Sequence, residues 1–285
     1  MRRRASLMDR RALFASATAA ALLAATGVSA AGPRHGGRLR VALSGALRSD
    51  TWARGQGLFM QMARQGVVFD TLTEVAADGT LHGELATGWT SCADARVWTF
   101  DLRNDVTFHD GARFTAQDVV ASAAGFDGAV VTARGLHQVQ FDLDKPDARL
   151  PLRLSQPDYY IAPAHALNDG IGTGLYQVVS FNPGQRLLAR RVDAHYKNGK
   201  AGWFDEVELT SIPSEDVRVQ ALAEYLVDAV DLTTALRPSA LEEVAILPNA
   251  RQPMMAVSTA LQQPAQISRQ RPLDNLRAAE RWWFG

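Results

Sequence analysis

The groups in this chain with acid–base, nucleophilic or metal-binding capacity are six histidines (35, 82, 109, 137, 165 and 195), one cysteine and thirty carboxylates. The most suggestive pairing is His109 with Asp110, ahead of Gly111 in VWTFDLRNDVTFHDGARFTAQDVVAS, residues 97–122. An imidazole beside a carboxylate serves general-base catalysis or metal ligation. The same pair before a glycine also builds a tight turn, where Asp110 accepts from backbone amides and Gly111 takes a positive φ. The histidines never fall at paired ligand spacing, so the sequence spells out no zinc site. Gly-x-Ser-x-Gly, His-Glu-x-x-His and Ser-x-x-Lys patterns are absent, which argues against the common hydrolase chemistries. Gly172-Thr173-Gly174-Leu175-Tyr176-Gln177 has two glycines of a dinucleotide fingerprint and lacks the third. Cys92 has no partner for an internal disulfide and reads as a small, semi-buried filler. The expectation is a protein that is no enzyme, with no catalytic residues, no cofactor and no metal.

The elements that must carry these residues follow from periodicity. Leu39, Val41 and Leu43 alternate as a strand that ends at Ser44-Gly45. Residues 48–56, RSDTWARGQ, read as a polar loop holding one tryptophan, and residues 58–72 as a helix running into VFDTL. LTEVAADGTLHG gives two short strands about Asp78-Gly79. Trp98, Phe100 and Leu102 form a strand that is expected to hairpin with Val106 and Phe108 across Asn104-Asp105. Thr115-Ala-Gln-Asp118 opens a helix, with Asp118 as a short-armed member of a capping box. Val139, Phe141 and Leu143 alternate again, and the proline-bearing stretch 147–170 reads as short helical pieces. Residues 172–192 form a hairpin about Asn182-Pro183-Gly184, and Phe204, Val207 and Leu209 a further strand. Ser214 caps a helix whose apolar face is read as Val217, Ala221, Leu222, Tyr225 and Leu226, before the strand VDAVDL. The result is a mixed α/β class.

Composition sets the outer bounds. The chain has equal numbers of basic and acidic residues and is 47% hydrophobic, enough for one or two cores. No basic excess points to nucleic acid. Residues 1–30 combine an arginine-rich start, an Ala/Leu core and the small residues Val28-Ser29-Ala30, the pattern of an export signal cleaved near Ala30. Arg10-Arg11 followed by Ala-Leu-Phe also resembles the twin-arginine signal. No cysteine lies near the cleavage point, so no lipid anchor is expected there. Residues 31–37 are a flexible lead-in, and the expected location is the periplasm.

The order of segments carries a family resemblance. VFDTLTEVAADGTLHGELATGW, then WTFDLRNDVTFHDGARFTAQDVVAS, then IGTGLYQVVSFNPGQRLLARRVDAHY, then FDEVELTSIPSEDVRVQALAEYLVDAVDL resembles the extracytoplasmic solute-binding proteins of family 5. These are the peptide- and nickel-type receptors of ABC importers. The strongest block is LRNDVTFHDGARFTAQDVV, and the likeness runs over most of residues 38–232. The family pattern Gly-Thr-Gly-Pro-Tyr stands here as Gly172-Thr173-Gly174-Leu175-Tyr176, and a glycine before the last strand stands as Asp228.

The resemblance implies a fold like the type II periplasmic binding proteins, with a first lobe of mixed β-sheet and hairpins over residues 38–260. Residues 261–285 resemble the crossover into a second lobe that is largely missing from the sequence, so apolar surface around Met254, Met255, Val257 and residues 282–284 is expected to be exposed. It implies capture of peptides or similar small solutes, with the membrane permease subunits of an ABC importer as partners. A nickel or metal-chelate receptor of the same family, a periplasmic hydrolase and a non-functional gene fragment are the alternatives. Ligand contacts are expected at Ser49, Asp50, Thr51 and Trp52, and at Asp70, Thr71 and the Gly172-Thr173-Gly174 turn. Trp52 stacks a ligand or packs on its own lobe; Asp50 and Asp70 pair with a ligand or cap backbone amides. His109 and Asp110 become a structural turn.

Overall fold

The computed structural model describes residues 36–75, 80–233, 244–247 and 254–258. Its centre is a seven-stranded sheet in the order β12-β13-β11-β1-β10-β9-β8. Strand β1 (Arg38–Leu43) runs parallel to β10 (Glu206–Ser211) on one side and to β11 (Ala229–Leu232) on the other. Strands β8 (Tyr176–Asn182) and β9 (Arg186–Arg191) form the expected hairpin, closed by Gln185 N–H donating to Asn182 O. At the other edge β12 (Val244–Leu247) and β13 (Met254–Ser258) pair antiparallel. Leu39, Val41 and Leu43 alternate with Arg38, Arg40 and Ala42, so one face of the sheet is apolar. That face packs with Val207, Leu209, Leu187 and Ala189 against Phe59, Met60, Met62 and Val67.

The second unit is an antiparallel sheet, β4-β5-β7-β6, of Ala86–Ser91, Val97–Leu102, Gln138–Leu143 and Ala129–Gly135 respectively. Its core gathers Trp98, Phe100, Val139 and Phe141 with Phe114 and Val119. A two-stranded ribbon, β2 (Thr73–Val75) with β3 (Leu81–Gly83), leads into it. The fold class is that read from the sequence, mixed α/β with hairpins.

Several local expectations change. Strand β5 does not hairpin with residues 106–108, because both its edges are taken by β4 and β7. Residues 106–114 instead close on themselves: Thr107 bridges Arg113, and Phe108 and Ala112 share a hydrogen bond around Gly111 at φ +88°. The helix expected over 58–72 is one turn, α1 (Leu58–Gln61), that widens into a π-helix, Met62–Val68. Its closing bond runs from Phe69 N–H to Arg64 O, five residues back. Helix α2 (Ala116–Ser122) has the complete capping box of Thr115 and Asp118. The proline-bearing stretch gives α3 (Leu150–Arg153) and a 3₁₀ turn, Pro157–Tyr159.

Helix α4 (Glu215–Ala223), capped by Ser214, buries Arg218, Val219, Ala221 and Leu222. Val217, Tyr225 and Leu226 are exposed, the last two because the helix has already ended. Left-handed geometry falls on Tyr225, at φ 58°. Asp228 is spared it and clamps Arg40, accepting from its backbone N–H and its guanidinium at 2.8 Å each. Met255, on β13, is buried in the core of the seven-stranded sheet rather than exposed; the side chains of Met254 and Val257 and residues 282–284 lie outside what the structure describes.

One place where the two units meet is Gly172-Thr173-Gly174, where His109 N–H donates to Gly172 O, and the same turn packs against the π-helix of its own unit. A Cβ on Gly172 would lie 1.9 Å from Val68 O, and one on Gly174 2.5 Å from Val67 O. Both glycines are demanded by backbone-to-backbone approach, since neither has a positive φ. Gly174 N–H donates to Val68 O at 2.9 Å, fastening the turn to the end of the π-helix. Gly172→Ala is therefore expected to cost about 3 kcal/mol or more, read as a lower urea midpoint; a midpoint within error of the parent would remove this contact from the account.

Candidate functional site

Loops at the carboxyl ends of parallel strands flanking a change of strand direction are where open α/β sheets place ligands. Here β1 is that point, since the chain reaches β10 on one side and crosses by α4 to β11 on the other. The ends of the three strands are tied by buried charge. Asp231 accepts from Ser44 N–H at 2.8 Å and Ser44 Oγ at 2.6 Å, and its carboxylate lies 3.1 Å from Arg218 Nε. Arg218 also donates to Ile212 O at 2.7 Å and Pro213 O at 3.0 Å. One guanidinium thus anchors the exits of β1, β10 and β11.

The loop that rises from this floor is held from within. Asp50 is buried and accepts from Leu47 N–H at 2.7 Å, so it caps the turn. Trp52 is also buried, with its ring 4.7 Å from Phe181 and 5.7 Å from Phe69. Its carbonyl accepts from Arg64 Nε at 2.7 Å and Tyr160 Oη at 2.9 Å. Burial lowers the pKa of Arg64, but it keeps its grip on three carbonyls: Trp52, Gly55 and Thr51. Ser49 and Thr51 are exposed, with Thr51 and Arg54 bridged as a tight hairpin. Of the four loop candidates, Asp50 and Trp52 build the loop and Ser49 and Thr51 present it to solvent.

Asp70, Thr71, Gly172, Thr173 and Gly174 come together elsewhere, in the interior between the two units. Thr173 Oγ1 donates to Asp70 Oδ2 at 3.1 Å. Glu84 Oε2 accepts from Thr71 N–H at 2.8 Å. At the centre lies Lys197, a residue the sequence reading passed over, whose Nζ is 3.4 Å from both Asp70 and Glu74 and in close contact with Glu84. His195 Nε2 is 3.7 Å from Asp70 and donates to Thr173 O at 2.8 Å. Burial opposes the charge on Asp70, yet Lys197 and His195 outweigh it and hold the carboxyl below its usual range. Burial and the three carboxylates push Tyr196 well above the usual phenol range. This is a joint between β2, β3 and the segment after β9, and the opening beside it, about 10 Å³, has room for about one water molecule.

His109 is architecture, as the sequence suggested, and so is Asp110, whose carboxylate accepts from Ala112 N–H at 3.0 Å. Cys92 is exposed rather than semi-buried, its thiol donating to Asp94 at 2.9 Å. Among the described residues no three His, Cys, Asp or Glu side chains are grouped to hold a metal ion.

Comparison with known proteins places the sequence in a family. The model of the bacterial extracellular solute-binding proteins, family 5 (middle region), matches residues 80–277. The chain belongs to this family. The nickel-binding periplasmic protein of Escherichia coli is 27% identical over 186 residues, covering 56% of this chain and 35% of that protein. The HTH-type transcriptional regulator SgrR of Shigella dysenteriae is 29% identical over 166 residues, covering 53% of this chain and 29% of that one. Among solved structures, the agropinic-acid complex of the periplasmic binding protein AgaA from A. tumefaciens R10 superimposes with a TM-score of 0.67 at 24% identity. It covers 75% of this chain and 48% of that chain. The oligopeptide-binding protein AppA of Bacillus subtilis, with a nonapeptide, gives 0.65 at 17% identity and the same coverage. The fold is that of a type II periplasmic-binding-protein lobe, and the chain spans about a third of the length of the curated relative from E. coli.

The buried joint makes a signed prediction. In the parent, Asp70 is held ionised by Lys197, so stability is present above the ordinary carboxylate pKa and lost as pH falls below it. Lys197→Met strands three carboxylates and is expected to cost about 3–5 kcal/mol at neutral pH. Its stability should then rise as pH drops from 7 to 5, where the parent's does not. Urea unfolding at the two pH values reads the sign, and parallel pH dependence in both proteins would contradict it.

Proposed function

We propose that this chain forms the first lobe of a periplasmic receptor that captures peptides or similar small solutes for the membrane permease of an ABC importer. Residues 1–30 act as its export signal, of the twin-arginine type by Arg10-Arg11, and residues 31–37 as the lead-in. Residues 38–260 make the lobe and 261–285 lead toward a second one. The protein binds and does not transform its ligand.

The observation that carries the reading is the loop at the carboxyl end of β1. Buried groups lock it in place through Arg64, Asp50, Trp52 and the Arg218–Asp231 pair, while Ser49 and Thr51 face outward. A polar rim on a rigid base suits a ligand whose own backbone offers amides and carbonyls, because little ordering entropy remains to be lost on binding. Closure of a second lobe over this face would complete the grip.

A second reading has an observation of its own. The E. coli relative is a nickel-binding protein, and one structural relative from Campylobacter jejuni was solved with Ni(L-His). Under this reading the metal arrives already chelated, and the same rim would meet the chelator.

Isothermal titration of the full chain with a mixture of short peptides, and separately with Ni(II)–L-histidine, tests both. Saturable heat from peptides is expected. Ser49→Ala and Thr51→Ala are each expected to weaken binding about 2- to 10-fold, the worth of one hydrogen bond. Heat from the nickel chelate alone selects the second reading. Heat from neither overturns the receptor reading.

A further inference from the structure

His109 spends every polar atom it has on one short segment of the neighbouring unit. Its backbone N–H donates to Gly172 O at 2.9 Å, and its carbonyl accepts from Gln177 Nε2 at 3.3 Å. Its ring Nε2 is 2.8 Å from Gly174 O, which can only accept, so Nε2 carries the hydrogen. Nδ1 is then an acceptor, 3.3 Å from Gly172 N–H. The imidazole is therefore wired as the neutral Nε2–H tautomer, gripping both ends of the Gly172-Thr173-Gly174 turn.

That turn is one of the contacts at which the two units meet, and the wiring makes it sensitive to protons. A second proton on the ring must go to Nδ1, where it points at the Gly172 N–H. Two donors then face each other in a mostly buried place, and one must turn away. Protons have a route, because His109 lines an opening of about 350 Å³ at the start of β8 and the end of β9, with no residue of the Ser49 loop in its wall. We propose that His109 is an acid-operated latch, whose protonation releases the Gly172–Gly174 turn and loosens the seam between the four-stranded and seven-stranded sheets.

On its own unit His109 has Asp110, which is already paired with His165 at 2.8 Å. From β9 and the turn after it, Arg190, Arg191 and Asp193 line the opening, with His195 beside them. Beneath lies Asp70, engaged by Lys197 together with Glu74 and Glu84, and Tyr196 stacks on His195. Burial outweighs the Gly174 carbonyl and the Asp70 charge, and keeps the His109 pKa below its ordinary value. With the folded-state pKa depressed, the latch is closed at neutral pH. Its contribution is lost as pH falls below about 6.5, the ordinary histidine value. The inference stands apart from ligand binding, since it concerns the seam and not the loop rim.

Nuclear magnetic resonance of the full chain with histidine-labelled rings reads both halves of the claim. At pH 7.5 His109 is expected in the neutral Nε2–H tautomer. Between pH 7.5 and 5.0 its protonation should coincide with a rise of at least about tenfold in exchange of the Gly172 amide, after correction for intrinsic chemistry, one unit of pKa being tenfold. His109→Gln keeps a side-chain donor, cannot titrate, and should flatten that pH dependence, while His165→Gln should leave it intact. A protonated His109 beside an unchanged Gly172 amide would overturn the proposal. So would the same acid-dependent exchange in His109→Gln. If that variant does not fold, the parent's coincidence or lack of it still decides.

Discussion

The contact that governs this molecule is the approach of one backbone to another, where Gly172 and Gly174 lie against the carbonyls of Val67 and Val68. No side chain fits between them, so the start of β8 and the end of the π-helix are fixed relative to each other. Thr173, between the glycines, is then forced inward onto Asp70, and Asp70 onto Lys197. Burying a lysine among three carboxylates is tolerable only with every group held in register. The glycine turn supplies that register. Through its bonds to His109 the same turn also ties the seven-stranded unit to the four-stranded one.

The opposite end of the seven-stranded sheet obeys a similar economy. Arg218 is almost wholly buried; it bonds Ile212, Pro213 and Asp231 at the ends of β10 and β11, and Asp231 in turn holds Ser44 at the end of β1. A helix residue thereby sets the floor of the loop that carries Ser49 and Thr51. Rigid floors matter to receptors of this family type, because a ligand can only drive lobe closure with the contact energy left after ordering its own site. In the proposed receptor, Asp50 and Trp52, buried beneath the rim, would reduce that ordering in advance.

Much of the frame was legible in the sequence because its determinants are local. The hairpin about Asn182–Gly184, the Thr115–Asp118 capping box and the Ser214 cap each rest on residues within a few positions of one another. So does the turn built by Asp110 and Gly111. The expected pairing of residues 97–102 with 106–108 failed because alternation identifies strands but not their partners, and β4 and β7 compete for both edges of β5. The interior joint was illegible for a plainer reason. Lys197 looks like a surface lysine in HYKNGK, and its partners Asp70 and Glu84 lie 127 and 113 residues away. Arg218 is disguised likewise, as one charge in an apparently amphipathic helix. Ala221 and Leu222 of the expected face are buried, and Arg218 and Val219 complete it in place of the exposed Val217, Tyr225 and Leu226.

In the proposed receptor, ligand meets this lobe at the carboxyl ends of β1, β10 and β11, and the most direct measurement is an amide hydrogen-exchange footprint of the full chain with and without a saturating short peptide. Slowed exchange is expected in residues 44–57 and 211–215, with residues 107–111 and 190–195 unchanged. Slowing confined to 107–111 and 190–195, or spread evenly through both sheets with none in the loop, would contradict it.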